Sequence, residues 1–280
     1  VPEHVTANSS GEPAAVTAAV VIPARYASTR FPGKPLAHDT GRFLIQHVYE
    51  RATQATTISR VLVATDDQRI FGAVRSFGGE AVMTRADHPS GTDRVAEAAA
   101  RLDCDIVVNI QGDEPELEPG CIDCLVDRLA HDCDCVMATA ACPFAAVPDS
   151  SPTDPNAVKV VIDGRGRALY FSRSLIPCPA AAPPSASATP TGPPYLHLGI
   201  YAYRRDFLMK LASLPPTPLE RIERLEQLRA LENGYRIAVV VVDKAAVGID
   251  TPEDYAAFVR RWQRSRDRTA DRVVHRNAGG

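Results

Sequence analysis

Residues 20–36 read Val20-Val21-Ile22-Pro23-Ala24-Arg25-Tyr26-Ala27-Ser28-Thr29-Arg30-Phe31-Pro32-Gly33-Lys34-Pro35-Leu36. The short apolar run Val20-Val21-Ile22 reads as a strand, and it passes directly into a loop carrying Arg25, Arg30 and Lys34. Ligands of open α/β sheets bind at the carboxyl ends of such strands. A triphosphate needs backbone N–H donors and cations, and this loop sets its cations beside small Ala27, Ser28 and Gly33. A solvated loop with incidental positive charge is the plainer reading of the same spacing. The loop is neither a P-loop nor the Gly-x-Gly-x-x-Gly turn, which argues against a nicotinamide dehydrogenase.

Outward from this strand, short apolar runs alternate with helical patterns, the mark of a parallel sheet with crossover helices. The spacing predicts a helix from Phe43 to Ala55, a strand at Val61–Ala64 and a helix from Gln68 to Ser76. A strand at Ala81–Met83, a helix from Thr92 to Leu102 entered through Ser90-Gly91-Thr92, and a strand at Ile106–Ile110 follow. Beyond Asp134 the runs become hairpin-like: Val136–Ala141, Val158–Ile162, Ala168–Ser172 and His197–Arg204. Gly164-Arg165-Gly166 lacks a third glycine and reads as the turn of that hairpin. A helix over Glu220–Asn233, closed by Gly234, a strand at Ala238–Val242 and a helix from Thr251-Pro252-Glu253-Asp254 complete the pattern. The Glu and Arg cluster of the helix over Glu220–Asn233 reads as a solvated face.

The expected fold is therefore α/β: a Rossmann-like, mixed but mostly parallel nucleotide-binding sheet with a smaller antiparallel portion. Residues 18–262 form a single domain, divided into 18–134, the smaller portion 135–236 and a return to the main sheet at 237–262. Residues 1–17 and 263–280 read as tails, and the proline- and alanine-rich stretch Ile176–Pro194 as an exposed flexible loop.

The 280 residues are 45% hydrophobic and 23% charged with a net charge of -3, which suits a globular enzyme and offers no broad positive field for nucleic acid. The longest apolar stretch, Ala14 to Ala24, is too short and too proline-interrupted to span a membrane. The acidic start Val1-Pro2-Glu3 is unlike a signal peptide, so the cytoplasm is expected. Cys121, Cys124, Cys133 and Cys135 invite a zinc site, but helical spacing with Ile122, Leu125 and Leu129 favours buried, reduced thiols.

A second constellation, Asn109-Ile110-Gln111-Gly112-Asp113-Glu114-Pro115, ends the fourth strand. Asp113 suits magnesium, which prefers one or two carboxylates with phosphate oxygens and water. Asp250, in Gly248-Ile249-Asp250-Thr251, offers the second acid; helix capping by Asp250 or Thr251 fits the spacing equally well.

Together these segments resemble the 3-deoxy-manno-octulosonate (Kdo) cytidylyltransferases, or CMP-Kdo synthetases. The resemblance begins with Pro23–Leu36 and continues through Met83–His88, Ser90–Arg94, Gln111–Pro115 and Asp154–Val161. It extends to Tyr170–Arg173, His197–Tyr201, Leu225–Arg229 and Gly248–Asp254, covering roughly residues 18 to 262. It implies transfer of CMP from CTP to Kdo with release of pyrophosphate, activating the sugar for lipopolysaccharide synthesis. It further implies that Ala24, Arg25, Ser28 and Lys34 hold the nucleotide, that Ser90 and Arg94 lie near the cytosine, and that Asp113 and Asp250 carry magnesium. Gln111, Arg173, His197, Tyr201, Glu226 and Gln227 are implied for the sugar, Arg173 pairing with its carboxylate. A cytoplasmic homodimer, with the portion 135–236 serving sugar binding and dimerisation, is implied as well. Alternatives are a cytidylyltransferase for a sialic acid or an amino-substituted Kdo, and a non-catalytic nucleotide-binding protein. The chain departs from the family pattern at Pro177-Cys178-Pro179-Ala180, so sugar contacts from that loop are not carried over.

Overall fold

A computed structural model describes residues 16–147, 150–178 and 194–277, with side chains as far as Arg266. Strands β1 (Ala18–Ala24), β2 (Ile58–Thr65), β3 (Ala81–Met83) and β4 (Ile106–Asn109) alternate with helices α1 (Leu44–Ala52), α2 (Gln68–Ser76) and α3 (Gly91–Ala99). Helix α4 (Pro119–His131) leads to β5 (Cys135–Pro143), β6 (Lys159–Ile162), β7 (Ala168–Ser172) and β8 (Tyr195–Arg204). Helices α5 (Arg205–Ser213), α6 (Pro218–Glu223) and α7 (Gln227–Glu232), strand β9 (Arg236–Val241) and helix α8 (Pro252–Asn277) follow.

The strands form one sheet in the order β3-β2-β1-β4-β8-β5-β9, with β6 on β8 and β7 on β6. β1 runs parallel to β2 and β4, and β5 to β9, while β8 is antiparallel to both β4 and β5. Side chains alternate across β1, so it is buried on both faces: Val20 and Ile22 meet Ile45 and Val48 of α1 and Ile122 and Leu125 of α4. Ala19 and Val21 join the opposite layer, with Val95 of α3, Phe207 of α5 and Leu228 of α7. Helices α2 and α3 begin on side-chain caps, Asp67 accepting from Arg69 N and Ser90 from Asp93 N.

The mixed, largely parallel sheet matches the expected class, and α2 and β3 have the expected bounds. Three details differ. Within the expected portion 135–236 the strands are not all set to one side, because β8 inserts between β4 and β5 and continues the main sheet; among the described strands only β6 and β7 leave its path. The single helix expected over Glu220–Asn233 is two, α6 and α7, broken where Arg224 takes a left-handed conformation with φ 53°. The expected tail from 263 continues as helix α8 to Asn277. That helix docks through Tyr255 and Phe258 onto Leu44 and Ile249, and His47 of α1 packs edge-on against Phe258 and Trp262.

Cys121 and Cys135 are buried and Cys124 and Cys133 exposed, on α4 and around the start of β5. The packing reading thus holds for Cys121 and Cys135 and not for Cys124 and Cys133, and among the described residues no group of three or more histidine, cysteine or acidic side chains is placed to hold a metal. The expected loop Ile176–Pro194 and tail 1–17 lie mostly outside the described residues.

Candidate active site

The basic loop after β1 closes on itself: Gly33 N donates to Tyr26 O at 3.0 Å, and Phe31 N to Ser28 Oγ at 3.3 Å. Gly33 has φ 70°, and a Cβ there would lie 3.0 Å from three atoms of the Tyr26 side chain, so glycine is needed for both conformation and space. The Tyr26 ring also carries the Arg69 guanidinium, 3.4 Å from its centroid. Asp67, the cap of α2, aims that guanidinium through bonds of 3.0 and 2.6 Å.

This packing turns Lys34 inward. Its ammonium donates to Asp113 Oδ2 and to the Ile249 carbonyl, each at 2.6 Å, and lies 3.8 Å from Asp250 Oδ1. Ile249 N donates to Asp113 O at 2.9 Å, joining the loop after β4 to the approach to α8. Arg30 meets the Asp250 carboxylate at 3.0 Å. Thr251 and Asp254 cap α8 reciprocally, so capping does not occupy the Asp250 side chain. Two carboxylates on one cation form an all-oxygen donor set. It fits magnesium, which takes few protein carboxylates and completes its shell with phosphate oxygens and water.

Beside this cluster a cleft of about 650 Å³ opens at the carboxyl ends of β1 and β2, walled by Ala24, Arg25, Ser90, Arg94, Gln111 and Glu226 among others. Ser28, Lys34, Asp113 and Asp250 are not in that wall. Arg94 is buried, donating to Thr84 Oγ1 at 2.6 Å and pairing with Asp66 at 3.3 Å. Ser90 Oγ lies 2.7 Å from Asp93 Oδ2 and 3.3 Å from Glu226 Oε2. Asp66, Arg69 and His88 also line the cleft; nothing in their spacing marked Asp66 or Arg69 beforehand.

A second cavity of about 320 Å³ shares Pro23, Gly91, Gln111 and Glu226 with the cleft and adds Asn109, Tyr201, Tyr203 and Gln227. The break at Arg224 swings Glu226 and Gln227 toward it, and Tyr201 Oη donates to Gln227 Oε1 at 3.2 Å. Gln111 Nε2 donates to the Gly199 carbonyl at 3.3 Å.

His197 packs on Tyr201, with ring centroids 5.5 Å apart, but lines a third cavity of about 300 Å³ with Glu114 and Lys244. Burial pulls its imidazole down to about 3, so it is neutral near pH 7. Burial, reinforced by Asp113, pushes the Glu114 carboxyl up to about 8. Arg173 stands apart from the three cavities: its Nε donates to Glu223 O at 2.7 Å and NH1 to Pro155 O at 3.1 Å. The structure thus gathers Ala24, Arg25, Ser90, Arg94, Gln111, Tyr201, Glu226 and Gln227 around two joined cavities and sets Lys34, Asp113 and Asp250 beside them.

A sheet with a basic loop after its first strand and paired acids beside a polar cleft defines a nucleotidyl-transferring α/β protein. The profile of the family described as Cytidylyltransferase matches residues 19–237. A 3-deoxy-manno-octulosonate cytidylyltransferase of Syntrophotalea carbinolica is 55% identical over 84% of this chain and 94% of its own. One from Solibacter usitatus is 50% identical over 88% and 94%. A solved CMP:2-keto-3-deoxy-manno-octonic acid synthetase, complexed with CTP, superposes with a TM-score of 0.80 at 43% identity, over 89% of this chain and 99% of that one. The chain belongs to the 3-deoxy-manno-octulosonate cytidylyltransferase family.

Proposed function

We infer that the protein transfers CMP from CTP to Kdo with release of pyrophosphate. The observation that carries this reading, beside the family, is the meeting of Lys34 with Asp113 and Asp250, joining the loops after β1 and β4 whose residues Ala24, Arg25 and Gln111 line two adjoining cavities, each of a size ligand sites have. The oxygen of the sugar's anomeric hydroxyl attacks the α-phosphorus of CTP; the bond from that phosphorus to the oxygen bridging to the β-phosphate breaks, pyrophosphate leaves with the electron pair, and the hydroxyl proton passes to solvent. No covalent enzyme intermediate is needed, so the protein's contribution is positioning and charge.

In this proposal Ala24, Arg25, Ser28 and Lys34 serve the triphosphate, and Ser90 and Arg94 the cytosine. Gln111, Tyr201, Glu226, Gln227 and a neutral His197 read the sugar's oxygens. For Arg173 to meet the sugar carboxylate, its guanidinium has to leave the Glu223 and Pro155 carbonyls. Asp113 and Asp250 would hold magnesium, which supplies neutralising charge at the phosphates. Lys34 then shares its charge between these carboxylates and the nucleotide.

Pyrophosphate release with magnesium, each nucleoside triphosphate, and Kdo present or absent tests the reaction. Release only with CTP and Kdo together is expected. Release with a sialic acid or amino-Kdo instead would move the sugar specificity, and silence with all would overturn the reading.

We also propose a homodimer in the cytoplasm. Exposed Leu169 on β7 and Ile222 on α6, 62% and 76% accessible, support an apolar contact surface on this flank, and use of CTP supports the compartment. Among the described residues no helix is long and apolar enough to cross a membrane. Sedimentation and cell fractionation check the two points.

A further inference from the structure

Asn109 ends β4, paired with Val21 on one side and Tyr201 on the other, and is 3% exposed. Its Oδ1 has no hydrogen-bond partner. Gln227, 4% exposed, has an unpartnered Nε2, its Oε1 being met by the Tyr201 hydroxyl. Both side chains line the 320 Å³ cavity. Turning Asn109 over only exchanges a bare acceptor for a bare donor, and turning Gln227 over does the reverse. Leaving a buried polar atom unmatched costs about 1–3 kcal/mol, and an apolar residue would continue the Val107 face of β4 without that cost. Packing therefore does not account for an amide at 109. A hydrogen bond between Asn109 and the Tyr203 hydroxyl, which Thr92 also meets, leaves Oδ1 unexplained.

We propose that Asn109 is a specificity-determining residue of the sugar site, its amide oxygen accepting from one sugar hydroxyl while Gln227 Nε2 donates to another sugar oxygen. The inference rests on the Kdo-transfer reading. A polyol supplies the donor and acceptor that this pair lacks, and a sugar without the matching hydroxyl leaves the asparagine bare again.

The test compares the parent with Asn109→Leu and the gentler Asn109→Ala. It measures KM for CTP, KM and kcat for Kdo and for Kdo analogues each lacking one hydroxyl, and the thermal midpoint. Expected are a rise of about 5- to 100-fold in KM for Kdo, an unchanged KM for CTP, and an undiminished midpoint for Asn109→Leu. One deoxy analogue should be used equally well by parent and variants. An unchanged KM for Kdo, or an equal loss with every analogue, would overturn the assignment and leave the reaction intact. A parent that releases no pyrophosphate with Kdo would overturn the functional reading, and this inference with it.

Discussion

Lys34 Nζ lies 2.6 Å from Asp113 Oδ2, and the same ammonium stands 3.8 Å from Asp250 Oδ1. Residues 79 and 215 positions away from the lysine, Asp113 and Ile249, both accept hydrogen bonds from it. The strand-end loops after β1 and β4 and the approach to α8 are thereby tied at one point. If this point binds magnesium, Asp113→Ala reduces pyrophosphate release by about 100-fold or more. CTP binding without metal, followed by calorimetry, changes much less. A chelator silences the parent, and magnesium restores it. Full turnover by Asp113→Ala removes the metal assignment.

Gly33→Ala forces a left-handed backbone on a residue with a Cβ and pushes that Cβ against Tyr26. The conformational part costs about 1–2 kcal/mol. Tyr26 also carries the Arg69 guanidinium 3.4 Å from its ring centroid, so a shift of the ring disturbs that stacking. The variant should melt lower and show a raised KM for CTP. Arg69→Ala, which frees the ring, should bring part of that KM back when combined with it.

Glu220 and Arg229 form a buried pair with contacts of 2.8 and 2.5 Å, and Arg229 also donates to the Leu211 and Leu214 carbonyls. This pair fixes the corner that presents Glu226 and Gln227. Glu220→Ala strands the guanidinium and should cost about 3–5 kcal/mol in urea unfolding. KM for Kdo should rise as well, whereas a change confined to stability would detach the corner from the sugar site.

Two histidines, buried His47 and part-buried His197, shape the acid limb of stability. Folded, His47 holds out against protonation to about 4 and His197 to about 3, while both titrate near 6.5 when unfolded. The unfolded chain therefore binds more protons below 6.5, and stability falls as the pH falls toward 4, by about 1.4 kcal/mol per pH unit for each ring. Glu114 has the opposite sign: unfolded it ionises near 4.5, folded it keeps its proton to about 8, so its contribution declines as pH rises between them. Urea unfolding at pH 5, 6 and 7 should give a flatter acid limb for His47→Gln and a steeper one for Glu114→Gln. Identical slopes in all three proteins would refute the assignment.

Local signals made much of this molecule readable in advance. The apolar runs of β1, β3 and β4 and the cap at Ser90 act over a few residues, so the alternation of strand and helix and the parallel half of the sheet follow from them. The break at Arg224 escaped the pattern because arginine and glutamate favour helix. Only the surrounding contacts, including the Glu220–Arg229 pair, hold that residue in a left-handed turn. The insertion of β8 between β4 and β5 escaped it too, since strand order depends on pairings distant in sequence.

By itself the sequence determined the α/β class, the basic loop, the acids at 113 and 250, and the family resemblance, because these reside in residue type and short spacing. Tertiary structure alone decided that Lys34 turns inward to those acids and that Arg173 engages backbone carbonyls outside the joined cavities. It also decided that Asn109 presents a bare amide oxygen to one of them. Burial and hydrogen-bond satisfaction depend on which distant segments meet, and no local pattern of residues encodes that meeting.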